Sequence, residues 1–247
     1  MKEPRIAGLI GGMGPEATVD LMRRVIRATP AEDDADHVHM IVDNNPRVPS
    51  RIRALIEGDG ESPAPCLREM ARRLETHGAH FLAIPCNTAH AYFDEIASAV
   101  SIPVLHMIRL TAEAVTAESP DLRFVGVLAS SAVIMTGLYE KAFRRAGVEV
   151  LYPRGSLQDR IMQAIRQIKA GRLGRAEEET LLEAARDLDE QGAEAIVVAC
   201  TELSLAAGPL AGWVRVYDAA QVLAAAIVRT ASCDVRRPSS PGGPGPG

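Results

Sequence analysis

The feature that most constrains the fold is an internal echo. Leu74, Gly78, Ala79 and Cys86 recur at the same mutual offsets as Leu188, Gly192, Ala193 and Cys200, a shift of 114 residues. The text around each cysteine is alike as well. AIPCNTAHA (83–91) and VVACTELSL (197–205) are both apolar runs that end on a thiol and continue into Thr and other small residues. Gly8, after Ile6 and Ala7, and Gly126, after Phe124 and Val125, form a further pair 118 apart. The echo predicts two related lobes, roughly 1–114 with Cys86 and 115–231 with Cys200, the last helix being free to pack back on the first lobe.

Short apolar, β-rich runs alternate with amphipathic stretches along the chain. Strands are expected at 5–11, 38–43, 80–85, 103–107, 124–129, 148–152, 195–199 and 214–217. Helices are expected at 15–28, 64–77, 88–99, 132–146, 156–170, 175–191 and 219–231. Continuously apolar strands separated by helices indicate parallel sheets covered on both faces, so the class is α/β, and the echo, with one cysteine in each copy, predicts two pseudo-symmetric lobes with a shared site between them. Residues 232–247 are rich in Pro, Gly and Ser and are expected to be a disordered tail.

Composition narrows the function. With a net charge of −5 and scattered arginines, the chain has no basic surface for nucleic acid. No apolar run approaches membrane-spanning length, and the N-terminus lacks a signal-peptide pattern, so a cytoplasmic protein is expected. Cysteines 66, 86, 200 and 233 form no C-x-x-C pair and no zinc spacing with histidine. Cys66 and Cys233 read as inert.

Cys86 and Cys200 fall at the carboxyl ends of predicted parallel strands, where ligands gather in such sheets. Asn87, Thr88 and Thr201 are suitable N-cap residues for helices starting just beyond them. The positive end of each helix dipole would lower the thiol's pKa and favour thiolate. A nucleophilic cysteine usually travels with a histidine. His90 follows Cys86 by one helical turn, but Ser204 holds the equivalent place after Cys200, so His90 reads as an orienting group or a surface residue. Two equivalent thiols, one per lobe, suit inversion of a carbon stereocentre, with a base on one face and an acid on the other. The bland alternative is a pair of buried core cysteines.

Other motifs supply charge. NNPRVPSR (44–51) is a proline-stiffened loop in which Arg47 or Arg51 offers a bidentate grip on a carboxylate. Lys169 lies near a helix end, where a lysine complements the dipole. GLIGGMGPEAT (8–18) fits a relaxed G-x-G-x-x-A form. Its acidic partner, Asp43, comes too late for a dinucleotide site, and a turn whose amides approach a carboxylate is the simpler reading.

In this order and spacing, GLIGGMGPEAT, NNPRVPSR, PCNTAHA, SSAVIMTGLYEK, IKAG and ACTELS closely resemble the aspartate racemases of the pyridoxal-phosphate-independent aspartate/glutamate racemase family. The resemblance implies a two-lobed α/β fold, often a homodimer, with Cys86 and Cys200 as the catalytic acid–base pair. It implies that Arg51 and Lys169 bind substrate carboxylates, that Asn87, Thr88 and Thr201 line the site with Met13 close by, and that Glu202 orients or polarises the second thiol. Members often carry an acidic residue where this chain has Ser50 and paired threonines where it has Ser130 and Ser131, all near the expected ligand. The implied reaction is interconversion of L- and D-aspartate, or of a related acidic or polar amino acid, with no metal, nucleotide or other cofactor. Two rivals use the same residues: a maleate-isomerase-like cis–trans isomerase and a two-lobed binding protein with incidental thiols.

Overall fold

The computed structural model describes residues 4–212 and 215–232; the predicted tail with Cys233, and Val214 of the last expected strand, lie outside the described residues. Among the described residues the strands form two parallel four-stranded sheets. The first comprises β1 (Ala7–Gly11), β2 (Met40–Asn44), β3 (Phe81–Ala83) and β4 (Val104–Leu105), in the order β2-β1-β3-β4. The second comprises β5 (Phe124–Ala129), β6 (Glu149–Leu151), β7 (Ala195–Ala199) and β8 (Val216–Asp218), in the order β6-β5-β7-β8. The orders are the same, and so is the register logic: Ala7 sits opposite Met40 and Phe81, and Val125 opposite Val150 and Ala195.

The echo is explained where helices meet strands. Helices α1 (Pro15–Ala28) and α2 (Ala64–Thr76) belong to the first half, and α8 (Arg175–Glu190) is the counterpart of α2 in the second. After α2, Gly78 adopts φ 96°, and the next amide, on Ala79, bonds to Leu74 O at 3.0 Å. After α8, Gly192 adopts φ 93°, and Ala193 N bonds to Leu188 O at 3.0 Å. Glycine enters this left-handed region without steric cost, which is why it ends both helices. The leucine and alanine so placed press on the strand glycines. A Cβ on Gly8 would lie 2.9 Å from Ala79 Cβ and 3.3 Å from Leu74 Cβ; one on Gly126 would lie 3.0 Å from Leu188 Cβ and 3.2 Å from Ala193 Cβ. The repeat is therefore a helix-on-strand packing device used twice. Gly8→Ala and Gly126→Ala should each cost about 1–3 kcal/mol by overpacking, seen as a lower urea midpoint at unchanged slope.

Alternating residues of each central strand feed opposite faces. In the first sheet Ile10 and Leu82 pack under α2, and Ala7, Leu9 and Phe81 pack under α1. In the second, Leu128, Ile196 and Val198 pack under α7 (Ser156–Lys169) and α8. Two helices cross between the halves. Ile108, Ala112 and Val115 of α4 (Met107–Glu118) pack on the second sheet, and Leu223, Ala224 and Ile227 of α10 (Ala219–Ser232) pack on the first. Each half thus lends a helix to the other's core.

Two predicted helices differ in detail. The one expected at 88–99 starts as a 3-10 turn, Thr88–Tyr92, before a short α3 (Phe93–Ala97), His90 N bonding to Asn87 O three residues back. The one expected at 132–146 breaks at Gly137 (φ 61°) into α5 (Ser131–Thr136) and α6 (Leu138–Phe143). No helix among the described residues is long and apolar enough to cross a membrane.

Candidate active site

Cys86 lies three positions past the end of β3, and Cys200 follows β7 directly as the N-cap of the five-residue α9 (Thr201–Leu205). Each thiol is 6% exposed, and each belongs to the core cluster of its own half. Both line one cavity of about 30 Å³ at the junction of the halves. The first half contributes Met13, the loop Ser50–Arg51–Ile52 and Asn87 and Thr88; the second contributes Ser130, Ile165, Lys169, Thr201 and Glu202. Cys86, Cys200, Met13, Arg51, Asn87, Thr88, Ser130, Lys169, Thr201 and Glu202, all named from the sequence, line this cavity. Arg47 is exposed and is not among its lining residues, so the loop presents Arg51.

The cavity rim is joined across the halves by four hydrogen bonds. Thr201 Oγ1 donates to Pro85 O at 3.2 Å, Gly14 N to Glu202 Oε1 at 3.2 Å and Tyr139 Oη to Asn87 Oδ1 at 2.7 Å, while the Thr88 and Ser130 hydroxyls lie 3.2 Å apart. The turn read as a carboxylate-approaching loop does meet a carboxylate, that of Glu202. Asp43, the weak dinucleotide candidate, is held instead by Arg73 at 2.8 Å.

Two buried donors, Arg51 Nε and Asn87 Nδ2, have no hydrogen-bond partner, and both residues line the cavity. Arg51 spends another nitrogen on the carbonyls of Val48 (3.2 Å) and Pro49 (2.9 Å), which fixes the guanidinium in place. Unpaired buried donors are costly, so their gathering at one cavity marks a place for acceptor oxygens. Lys169, at the end of α7, stands 3.6 Å from Glu202 Oε1.

The second thiol departs from expectation. Burial pushes Cys200 well above the usual cysteine range, the neighbouring Glu202 carboxylate adds to the rise, and the Lys169 ammonium opposes it. The Cys200 Sγ–H donates to Glu202 Oε2 at 3.2 Å. Two sequence expectations fail here: Thr201 is not the N-cap, and no dipole of a five-residue helix outweighs desolvation and a carboxylate at contact. Cys200 rests as a thiol. Asn87 precedes the 3-10 turn without bonding its amides through the side chain, so that side chain is left for other partners.

His90 is buried, not a surface residue. Its Nε2 accepts from Met107 N at 3.1 Å, which leaves Nδ1–H to donate to Cys86 O at 2.9 Å. Burial lowers its pKa to about 4, so it is a neutral strut between the first thiol's loop and the crossing helix α4. Tyr139, Ile52 and Ile165 were not singled out from the sequence. Ile165 precedes Lys169 by four residues and so shares its helix face, a signal that was available. The Tyr139–Asn87 contact joins residues 52 apart in the chain and had no local signal.

Comparison with known proteins settles the relationship. The profile of the Asp/Glu/Hydantoin racemase family matches residues 10–227. The chain belongs to that family. This makes it an isomerase, an amino-acid racemase by family. It is 30% identical over 229 residues to the broad specificity amino-acid racemase RacX of Bacillus subtilis, covering 90% of this chain and 96% of that protein. The structure of Picrophilus torridus aspartate racemase superposes with a TM-score of 0.82 at 31% identity, covering 92% of this chain and 94% of the other. A glutamate racemase from Campylobacter jejuni shares the fold, with a TM-score of 0.61 at 19% identity over 89% of this chain and 82% of the other.

Proposed function

We propose that this racemase inverts the α-carbon of an acidic or other polar amino acid by two-base proton transfer between Cys86 and Cys200, without a cofactor. The observation that carries the reading is the pair of equally buried thiols, one from each half, lining a single cavity together with unpaired cationic and amide donors. Arg51 and Asn87 would take carboxylate oxygens, with Lys169 adding charge. Cys200, protonated at rest, would be the acid for one direction, with Cys86 as the thiolate base; the reverse direction swaps the roles. An α-proton is weakly acidic, so fixed donors around the α-carboxylate must carry much of the stabilisation of the carbanion. The relatives include an aspartate racemase and a broad-specificity racemase, and Ser50 at the cavity leaves strict aspartate preference without a structural basis.

The test is incubation with L-Asp, and with Glu, Asn and Ser, in deuterated water. A racemase deposits deuterium at the α-carbon and yields the opposite enantiomer. A maleate-type isomerase or a binding protein does neither, and that result with the whole panel would overturn the proposal.

A further inference from the structure

The break at Gly137 restarts the chain as α6, and the second residue of that helix, Tyr139, is fully buried in the core of the second half. Its ring stacks on Phe143 at 6.3 Å, packing that a phenylalanine would supply equally well. The hydroxyl is what the core does not need. A phenol buried this deeply requires a hydrogen-bond partner, and here the partner belongs to the other half: Tyr139 Oη donates to Asn87 Oδ1 at 2.7 Å. Burial raises the phenol's pKa, so it stays protonated and remains a donor.

A side-chain amide has an acceptor end and a donor end, and the two exchange places when the group turns over. The backbone at Asn87 is held by His90 N, which bonds to Asn87 O at 3.0 Å, but the side chain caps no helix. The phenol therefore decides which end goes where. By holding Oδ1 it turns Nδ2 the other way, and Nδ2 is one of the two unpaired buried donors at the cavity. Tyr139 is not itself among the lining residues, and its contact with the cavity runs through Asn87.

We infer that Tyr139 is a positioning residue, which sets the Asn87 amide nitrogen-first toward a substrate carboxylate. The half that carries Cys200 thus orients a donor carried by the half with Cys86. The inference rests on the racemase reading above. The rival role for the phenol is a brace that joins the halves without bearing on the chemistry.

In Tyr139→Phe the productive orientation leaves Oδ1 buried without a donor, so the turned-over amide, oxygen-first toward the carboxylate, gains population. The productive share, and kcat/KM with it, falls by about 5- to 150-fold. The experiment measures kcat/KM for α-deuterium incorporation with the best amino acid of the panel, using the full chain, Tyr139→Phe, Asn87→Ala and the double variant. Residues that act through one hydrogen bond are not additive: Tyr139→Phe is expected to cost less than about twofold once Asn87 is alanine. An equal loss on both backgrounds, or no loss on the first, would make the phenol a brace and overturn the inference; urea midpoints read the bracing separately.

Asn87→Asp tests the same orientation without altering the core of the second half. With the phenol holding one oxygen, the other faces the substrate carboxylate, so at neutral pH this variant is expected to fall below Asn87→Ala. Activity equal to or above Asn87→Ala would also overturn the inference. No exchange by the unaltered enzyme with any amino acid would remove the racemase reading itself, a result distinct from both.

Discussion

Cys86→Ala and Cys200→Ala are each expected to lower the racemisation rate by about 10³-fold or more, while leaving one half of the chemistry alive. A positioned acid or base contributes about 10²–10⁴-fold, and in the proposed two-base scheme each thiol is needed in every turnover, as base in one direction and acid in the other. The two losses should not add, because a site that has lost one partner cannot complete inversion whatever the other does. The surviving thiol still faces one side of the substrate carbon. Each variant should therefore exchange the α-proton of one enantiomer with deuterated water, the two variants choosing opposite enantiomers, and neither should build up the antipode. Both cysteines lie in core clusters, so unfolding must be monitored in parallel. Full racemisation by either variant, or exchange of the same enantiomer by both, would end the two-base scheme.

Much of this site was legible in the sequence because its parts are local and repeated. The central strands are continuous apolar runs, and Gly78 and Gly192 mark helix ends through a conformation that few other residues adopt. The thiols and their small polar neighbours stand at strand ends, which the α/β class already marks as the ligand face. What was not legible depends on contacts between residues far apart in the chain. Asn87 reads as a helix cap until Tyr139, buried in the other half, takes its carbonyl oxygen. The pKa of Cys200 reads as lowered while only the helix start is counted, because the desolvation that dominates it comes from packing of the whole half. The sequence allowed for the return of α10 to the first sheet, but the crossing of α4 is invisible: its apolar face shows that it packs, not on which sheet.

In the proposed scheme Glu202 tunes the second thiol, so Glu202→Gln should both slow the enzyme and move its pH profile. The carboxylate accepts the Cys200 thiol proton at 3.2 Å and the Gly14 amide at 3.2 Å, and it faces Lys169 at 3.6 Å. A hydrogen bond to a charged group is worth about 1.5–3 kcal/mol; at about 1.4 kcal/mol per decade, losing the one to Cys200 lowers kcat by about 10- to 150-fold. The direction of the pH effect follows from the causes of the raised thiol. Glu202 raises the Cys200 pKa and Lys169 lowers it, so replacing the carboxylate with a neutral amide leaves the ammonium unopposed and the pKa falls. In the direction that uses Cys200 as acid, activity is lost as pH rises through that pKa, and the loss should start at lower pH in the variant. In the direction that uses it as base, activity appears as pH rises through the same pKa, and it too should appear at lower pH. Measuring both directions across pH thus gives two limbs displaced the same way. A slowed variant with both limbs unmoved would assign Glu202 to holding Gly14 and Lys169 in place and not to tuning the thiol.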